Sequence, residues 1–143
     1  EALIANPAVR RVNFTGSTRV GKVIGELAGR HLKPALFELG GKAPMIILED
    51  ADIEPAVAAA GFGAYMNQGQ ICMSTERIIV HEGIADAFVA ALAAKTQALP
   101  AGNPRGQVVL GALVTPEAAQ KMDGIIEDAT AKGGAIALER IRS

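Results

Sequence analysis

Apolar residues in this chain fall into short β-prone runs separated by longer stretches of helical spacing. Residues 12–15 form the first run and stop at Gly16-Ser17. Residues 18–29 then place Val20, Ile24, Leu27 and Ala28 on one side of a predicted helix. Residues 35–38 predict a second strand ending in Leu39-Gly40-Gly41. Residues 45–48 predict a third, apolar throughout and therefore expected to be buried on both faces. Asp52 is placed as the N-cap of a helix from Ile53 to about Asn67. Strand character returns at 77–81, and Ile84, Ala85, Phe88, Val89 and Leu92 mark the core face of a helix reaching about Leu99. Residues 100–109 read as loop. Thr115-Pro116 supplies a cap and a first-position proline for a helix that Gly133-Gly134 ends, and 135–138 reads as a last strand. This alternation predicts an α/β layered fold with a largely parallel sheet, without internal repeats.

Composition narrows the function classes. The chain has 143 residues, 50% hydrophobic and 20% charged, with net charge −1, which describes a globular domain able to bury a core and argues against disorder. A near-neutral balance without basic runs gives no footprint for nucleic acid or an acidic membrane surface. The single cysteine can form no internal disulfide, which points to a reducing, cytoplasmic setting. The uncharged run at 55–75 raises the question of a membrane span, but its apolar part, 56–66, predicts a buried helix instead, being too short to cross a bilayer. No signal peptide is apparent, and the opening at Glu1 suggests an internal fragment.

Several local signals carry possible chemistry. Gly16-Ser17-Thr18-Arg19-Val20-Gly21-Lys22-Val23 lies one residue short of a P-loop, because Val23 stands where a hydroxyl must hold magnesium. The turn still offers a phosphate the unpaired N–H groups of a helix start, although an ordinary capped helix would look the same. Gly61-Phe62-Gly63 begins a dinucleotide fingerprint but lacks its third glycine at Met66 and sits within an apolar helix, so close packing explains it better. Cys72 falls in a polar, glycine-containing loop, where function concentrates, yet a lone cysteine is also often a small buried hydrophobe. For a cysteine hydrolase His81 would be the base to test. Glu38 ends a strand where open parallel sheets bind ligands, and partial burial would raise its pKa toward the range of a general base. A solvated strand-end acid is the alternative. His31, His81 and Cys72 form no metal-ligand spacing.

Phe14-Thr15-Gly16-Ser17, Glu38-Leu39-Gly40-Gly41-Lys42 and Asn67-Gln68-Gly69-Gln70-Ile71-Cys72, in that order, resemble the aldehyde dehydrogenase superfamily, including the 34-residue separation of Glu38 and Cys72. The similarity runs from about Arg10 to about Leu138 and includes Lys42-Ala43-Pro44, Asp50-Ala51-Asp52, Arg77 and Gly102-Asn103-Pro104. The resemblance implies Cys72 as nucleophile and Glu38 as general base. It also implies Gly16 and Ser17 at the cofactor pyrophosphate, Thr15 and Leu39 beside the nicotinamide, and Val20 and Gly21 on the cofactor-binding helix. By the same resemblance, residues 1–39 are the C-terminal portion of a Rossmann-like NAD(P)-binding domain and 40–143 the N-terminal portion of a catalytic domain, with a hinge at Leu39–Gly41.

The implied activity is oxidation of an aldehyde to its carboxylic acid with NAD or NADP, in a parent that forms dimers or tetramers. Glu38 favours acid formation over transfer to coenzyme A. Ile71-Cys72-Met73-Ser74-Thr75-Glu76-Arg77 resembles members acting on aromatic aldehydes such as salicylaldehyde, vanillin or benzaldehyde. The family's oxyanion-hole asparagine is matched by none of Asn6, Asn13 and Asn67, and its ribose-binding lysine and later glutamate also fall outside the chain. The isolated fragment is therefore expected to be inactive, and a non-catalytic binding or structural role is the alternative for it. The family usually continues into glycines after Leu138, whereas Glu139-Arg140-Ile141-Arg142-Ser143 is charged and reads as a truncation or frame artefact.

Overall fold

The first two strands pair in parallel, and so do the next two, giving two separate two-stranded sheets rather than one larger one. The computed structural model describes residues 1–138, and the chain divides into two units, Glu1–Gly41 and the remainder from Lys42. No helix among the described residues is long and apolar enough to cross a membrane.

The first unit contains a single turn α1 (Ala2–Ala5), strand β1 (Val12–Gly16), helix α2 (Thr18–Arg30) and strand β2 (Ala35–Leu39). A parallel pair cannot be closed by a hairpin, and α2 provides the crossover. It starts at Ser17, whose hydroxyl accepts the Val20 N–H at 3.3 Å. It ends in a Schellman turn, with Lys33 N–H donating to the Ala28 carbonyl (2.9 Å) and Leu32 N–H to that of Gly29 (3.1 Å). Leu32 holds this turn at φ 51, where glycine is usual. Gly21 and Ala28 are buried, and Val20, Ile24 and Leu27 half-buried, which is the face the apolar spacing predicts. A Cβ on Gly21 would lie 2.9 Å from Leu39 Cδ2, and one on Gly25 would lie 3.3 Å from Phe37 Cζ, so α2 seats these two β2 side chains over glycines.

The second unit runs through β3 (Ala43–Ile47), α3 (Ile53–Tyr65), a 3-10 turn (Met66–Gly69), β4 (Thr75–Val80), α4 (Glu82–Gln97) and α5 (Pro116–Ala131). Its core is Ile47, Val57, Ala60 and Phe88, ringed by Met45, Ile78, Val80, Ile84, Ala91 and Leu92. Thr115 caps α5 through the Ala118 N–H (3.2 Å), and Gly133, at φ 90, closes it as expected. Asp52 occupies the N-cap of α3 but makes no side-chain capping bond.

Four expectations are corrected. Strand β3 is buried on one face only, with Ile46 65% exposed, because the helices around the core cover just the Met45 and Ile47 side. Helix α3 is likewise not enclosed: Phe62 on its outer side is 68% exposed. Val89 is exposed, since the core face of α4 runs through Ile84, Phe88 and Leu92 at four-residue steps and Val89 sits about 100° away from Phe88. Residues 135–138 form no strand, because strand geometry is held by ladder hydrogen bonds and no described strand pairs with this segment. Residues 139–143, where the truncation reading falls, lie outside the described residues.

Candidate active site

In the first unit the register pairs Thr15 with Glu38 and Gly16 with Leu39, so these four residues share the C-terminal edge of a parallel pair. Ligands of open α/β sheets bind outside that edge. Gly16 makes room for the Phe14 ring, since a Cβ there would lie 2.6 Å from Phe14 Cζ and the ring would have to shift. Ser17 satisfies the Val20 amide, while Thr18 and Arg19 occupy helix-start positions whose N–H groups have no carbonyl within α2 to meet. Exposed Arg19 and Lys22 add positive charge, and the edge suits an anionic group. Gly21 is buried beneath Leu39, so this pair holds α2 on β2. Strand alternation turns Glu38 away from Phe37, Leu39 and α2. Glu38 is exposed, as the solvated strand-end alternative has it.

In the second unit Cys72 is a free, exposed thiol. The loop before it is unusual: Asn67 (φ 50, ψ 39), Gln68 (φ 57, ψ 28) and Gly69 (φ 70) are consecutively left-handed. Such geometry costs about 1–2 kcal/mol per non-glycine residue and persists only where surrounding bonds over-determine it. Here Gln70 N–H donates to the Asn67 carbonyl at 3.1 Å and Ser74 N–H to that of Ile71 at 3.0 Å. The Gln70 side chain adds a long-range tie, its Oε1 accepting the Val114 N–H at 2.9 Å. Gly69 is required twice over, by its φ and because a Cβ would lie 2.9 Å from the Ala64 carbonyl oxygen. Gly63 packs its helix on β4, since a Cβ there would meet Thr75 Oγ1 at 2.5 Å. This closeness accounts for Gly63, whereas a Cβ at Gly61 would meet only the Lys95 side chain, at 3.4 Å.

Thr15, Gly16, Ser17, Glu38 and Leu39 are thus gathered at one sheet edge of the first unit, and Cys72 is presented by the second. His81 does not serve Cys72 as a base. It follows β4 whereas Cys72 precedes it, a strand of six residues or about 20 Å away. Its Nδ1 accepts the Gly83 N–H at 3.2 Å to cap α4, and its Nε2 lies 3.8 Å from Glu49. Among the described residues no three of His, Cys, Asp and Glu are grouped to hold a metal ion. Sequence reasoning missed the tie from Gln70 and a 2.6 Å ion pair between Lys42 and Glu76. Their partners lie 44 and 34 residues away, beyond any local pattern.

Comparison with known proteins agrees with the resemblance. The model of the aldehyde dehydrogenase family matches residues 1–142, wider than the 10–138 span expected. Vanillin dehydrogenase of Pseudomonas fluorescens is 63% identical over 139 residues, which cover 96% of this chain and 29% of that protein. The crystal structure of a salicylaldehyde dehydrogenase from Pseudomonas putida G7, complexed with salicylaldehyde, superposes with a TM-score of 0.90 at 52% identity. The match covers 92% of this chain and 28% of that one. Betaine aldehyde dehydrogenase from Staphylococcus aureus, solved with NAD+, gives a TM-score of 0.91 at 33% identity, over 99% of this chain and 29% of that one. The chain therefore spans under a third of the length of these relatives. With α/β architecture, parallel strands and a family model matched along nearly its whole length, the chain belongs to the aldehyde dehydrogenase family.

Proposed function

We propose that the enzyme containing this chain oxidises an aromatic aldehyde to its carboxylic acid with NAD+ or NADP+, Cys72 acting as nucleophile and Glu38 as general base. The observation that carries this reading is the exposed Cys72 thiol on a strained, multiply pinned loop, in a chain 63% identical to a vanillin dehydrogenase. Residues 1–39 then belong to the cofactor domain and 40–143 to the catalytic domain. A cytoplasmic homodimer or homotetramer is the corresponding assembly.

Cys72 as thiolate attacks the aldehyde carbon, forming a C–S bond and a tetrahedral oxyanion that its own backbone N–H helps to hold. Loss of hydride from that carbon leaves a thioester on Cys72. Glu38 then takes a proton from water, the oxygen adds to the thioester carbonyl, and the thiolate departs as the acid is released. The turn at Gly16-Ser17 fits a pyrophosphate, with open amides at Thr18 and Arg19 and two basic side chains beside them. Thr15 and Leu39 would stand beside the nicotinamide of such a cofactor, and Val20 and Gly21 lie on the helix that would bind it. A nicotinamide cofactor bound there supplies the hydride acceptor.

The test is Cys72→Ser in the full-length enzyme, which should lose aldehyde turnover on the order of a thousandfold or more. Retained turnover refutes the nucleophile assignment. For the isolated 143 residues a non-catalytic, association-prone state is favoured by the exposure of Ile46, Phe62 and Val114. Calorimetric titration of this piece with NAD should give no measurable heat of binding.

A further inference from the structure

The sheet of the second unit contains an irregularity with a chemical partner. Along β3 and β4 the register pairs Ala43 with Thr75 but Pro44 with Arg77, leaving Glu76 as an extra residue opposite nothing. Pro44 has no N–H to give the ladder at this step, and bulges are among the few places a sheet accepts proline. Bulges are uncommon in parallel pairs and re-aim a side chain beside functional sites. The released Glu76 carboxylate accepts from Lys42 Nζ at 2.6 Å. The ion pairs Arg30–Glu26 and Lys132–Asp128 lie each within one helix region, so neither links two strands as Lys42–Glu76 does.

The position of this pair matters because of what lies four residues before each partner. Glu38 precedes Lys42 by four residues, and Cys72 precedes Glu76 by four, so the two couples share the same 34-residue offset. Four residues reach at most about 14 Å, which keeps each reactive side chain on a short tether to its ionic anchor. The Lys42 end of the first tether carries Gly40 and Gly41, whose α-carbons have open space around them, so little but the anchor restrains it.

We infer that Lys42 and Glu76 form a positioning pair for deacylation, pinning the foot of β3, four residues after Glu38, to the start of β4, four residues after Cys72. This rests on the proposed roles of Cys72 and Glu38. The pair acts on the water-activating step and leaves the hydride-loss step, which needs only the Cys72 adduct and cofactor, nearly untouched.

The experiment uses the full-length enzyme with vanillin, following reduced cofactor by stopped flow and thioester decay by acid quench and intact mass. Glu76→Gln should slow thioester decay about fivefold, the scale of a half-exposed ion pair, while the rate of first-turnover cofactor reduction stays within about twofold. Its burst amplitude counts folded sites, so a folding defect registers separately. Lys42→Met should give the same pattern, and the double variant should be no slower than either single one. Equal slowing of both steps, no slowing of decay, or multiplied deficits in the double variant would overturn the pair's role. Glu38→Gln run alongside separates the two readings. If it blocks decay while Glu76→Gln does not, only the positioning pair fails. If it leaves decay unchanged, the general-base assignment fails and the pair's role with it.

Discussion

Cys72 follows three consecutive left-handed residues held by turn bonds and by the tie from Gln70 to Val114, whereas Glu38 ends an ordinary extended strand and leads into two glycines with open space about them. The units differ in the same sense. Phe88, at 1% exposure, anchors a core in the second, while the buried residues of the first are Ile4, Gly21 and Ala28. A nucleophile that forms and breaks a covalent bond must be placed to within a fraction of an ångström, and backbone strain is tolerable where a packed core supports it. The proposed base, which reaches only a water molecule, needs less fixed support, and its glycine-flanked strand end has the Lys42–Glu76 pair as its nearest anchor.

The comparison can be broken at several points, beginning with the largest effect. Phe88→Ala should destabilise the second unit by about 3–5 kcal/mol in urea unfolding, through lost burial and the cavity left behind. A cost below about 1 kcal/mol would mean that this core does not support the Cys72 loop. Gly69→Ala, forcing a methyl group against the Ala64 carbonyl at positive φ, should cost roughly 1–2 kcal/mol or more. It should also slow alkylation of Cys72 by changing how the thiol is presented. The opposite sign is expected at Leu32, which is 91% exposed at φ 51. Leu32→Gly relieves the left-handed strain while giving up almost no burial, and the midpoint of the first unit should rise by about 1 kcal/mol equivalent. Smallest is Gly40→Ala, which meets nothing within 4 Å and should fall within about 0.5 kcal/mol of the parent. If Gly40→Ala were as costly as Gly69→Ala, the contrast between a strained and a free segment would be gone.

Much of the fold was legible in advance because it rests on local rules. The spacing of Val20, Ile24, Leu27 and Ala28 marked the buried side of α2, and Thr115-Pro116 with Gly133 bounded α5. The failures share one cause. Ile46, Phe62 and Val89 are apolar and the local pattern places them inside, yet hydrophobicity states only that a side chain benefits from cover and not which segment meets it. The strand expected at 135–138 failed in the same way, since pairing is a property of two segments. Candidate site residues are named by type, order and resemblance, but the bonds around them are not legible that way. Gln70 to Val114 and Lys42 to Glu76 span the sequence and leave no periodic trace.

The chain's own order of residues determined its alternation of strands and helices, its family, and the identity of the thiol and carboxylate proposed to react. These follow from periodicity, capping chemistry and residue type, all read within a few positions. Tertiary structure alone decided that the 67–69 backbone turns left-handed, that Glu76 is squeezed out of register opposite Pro44, and that one face of β3 meets solvent. Each depends on segments distant in sequence meeting in space, where sterics and hydrogen-bond geometry choose among conformations that local preference leaves nearly equal in energy.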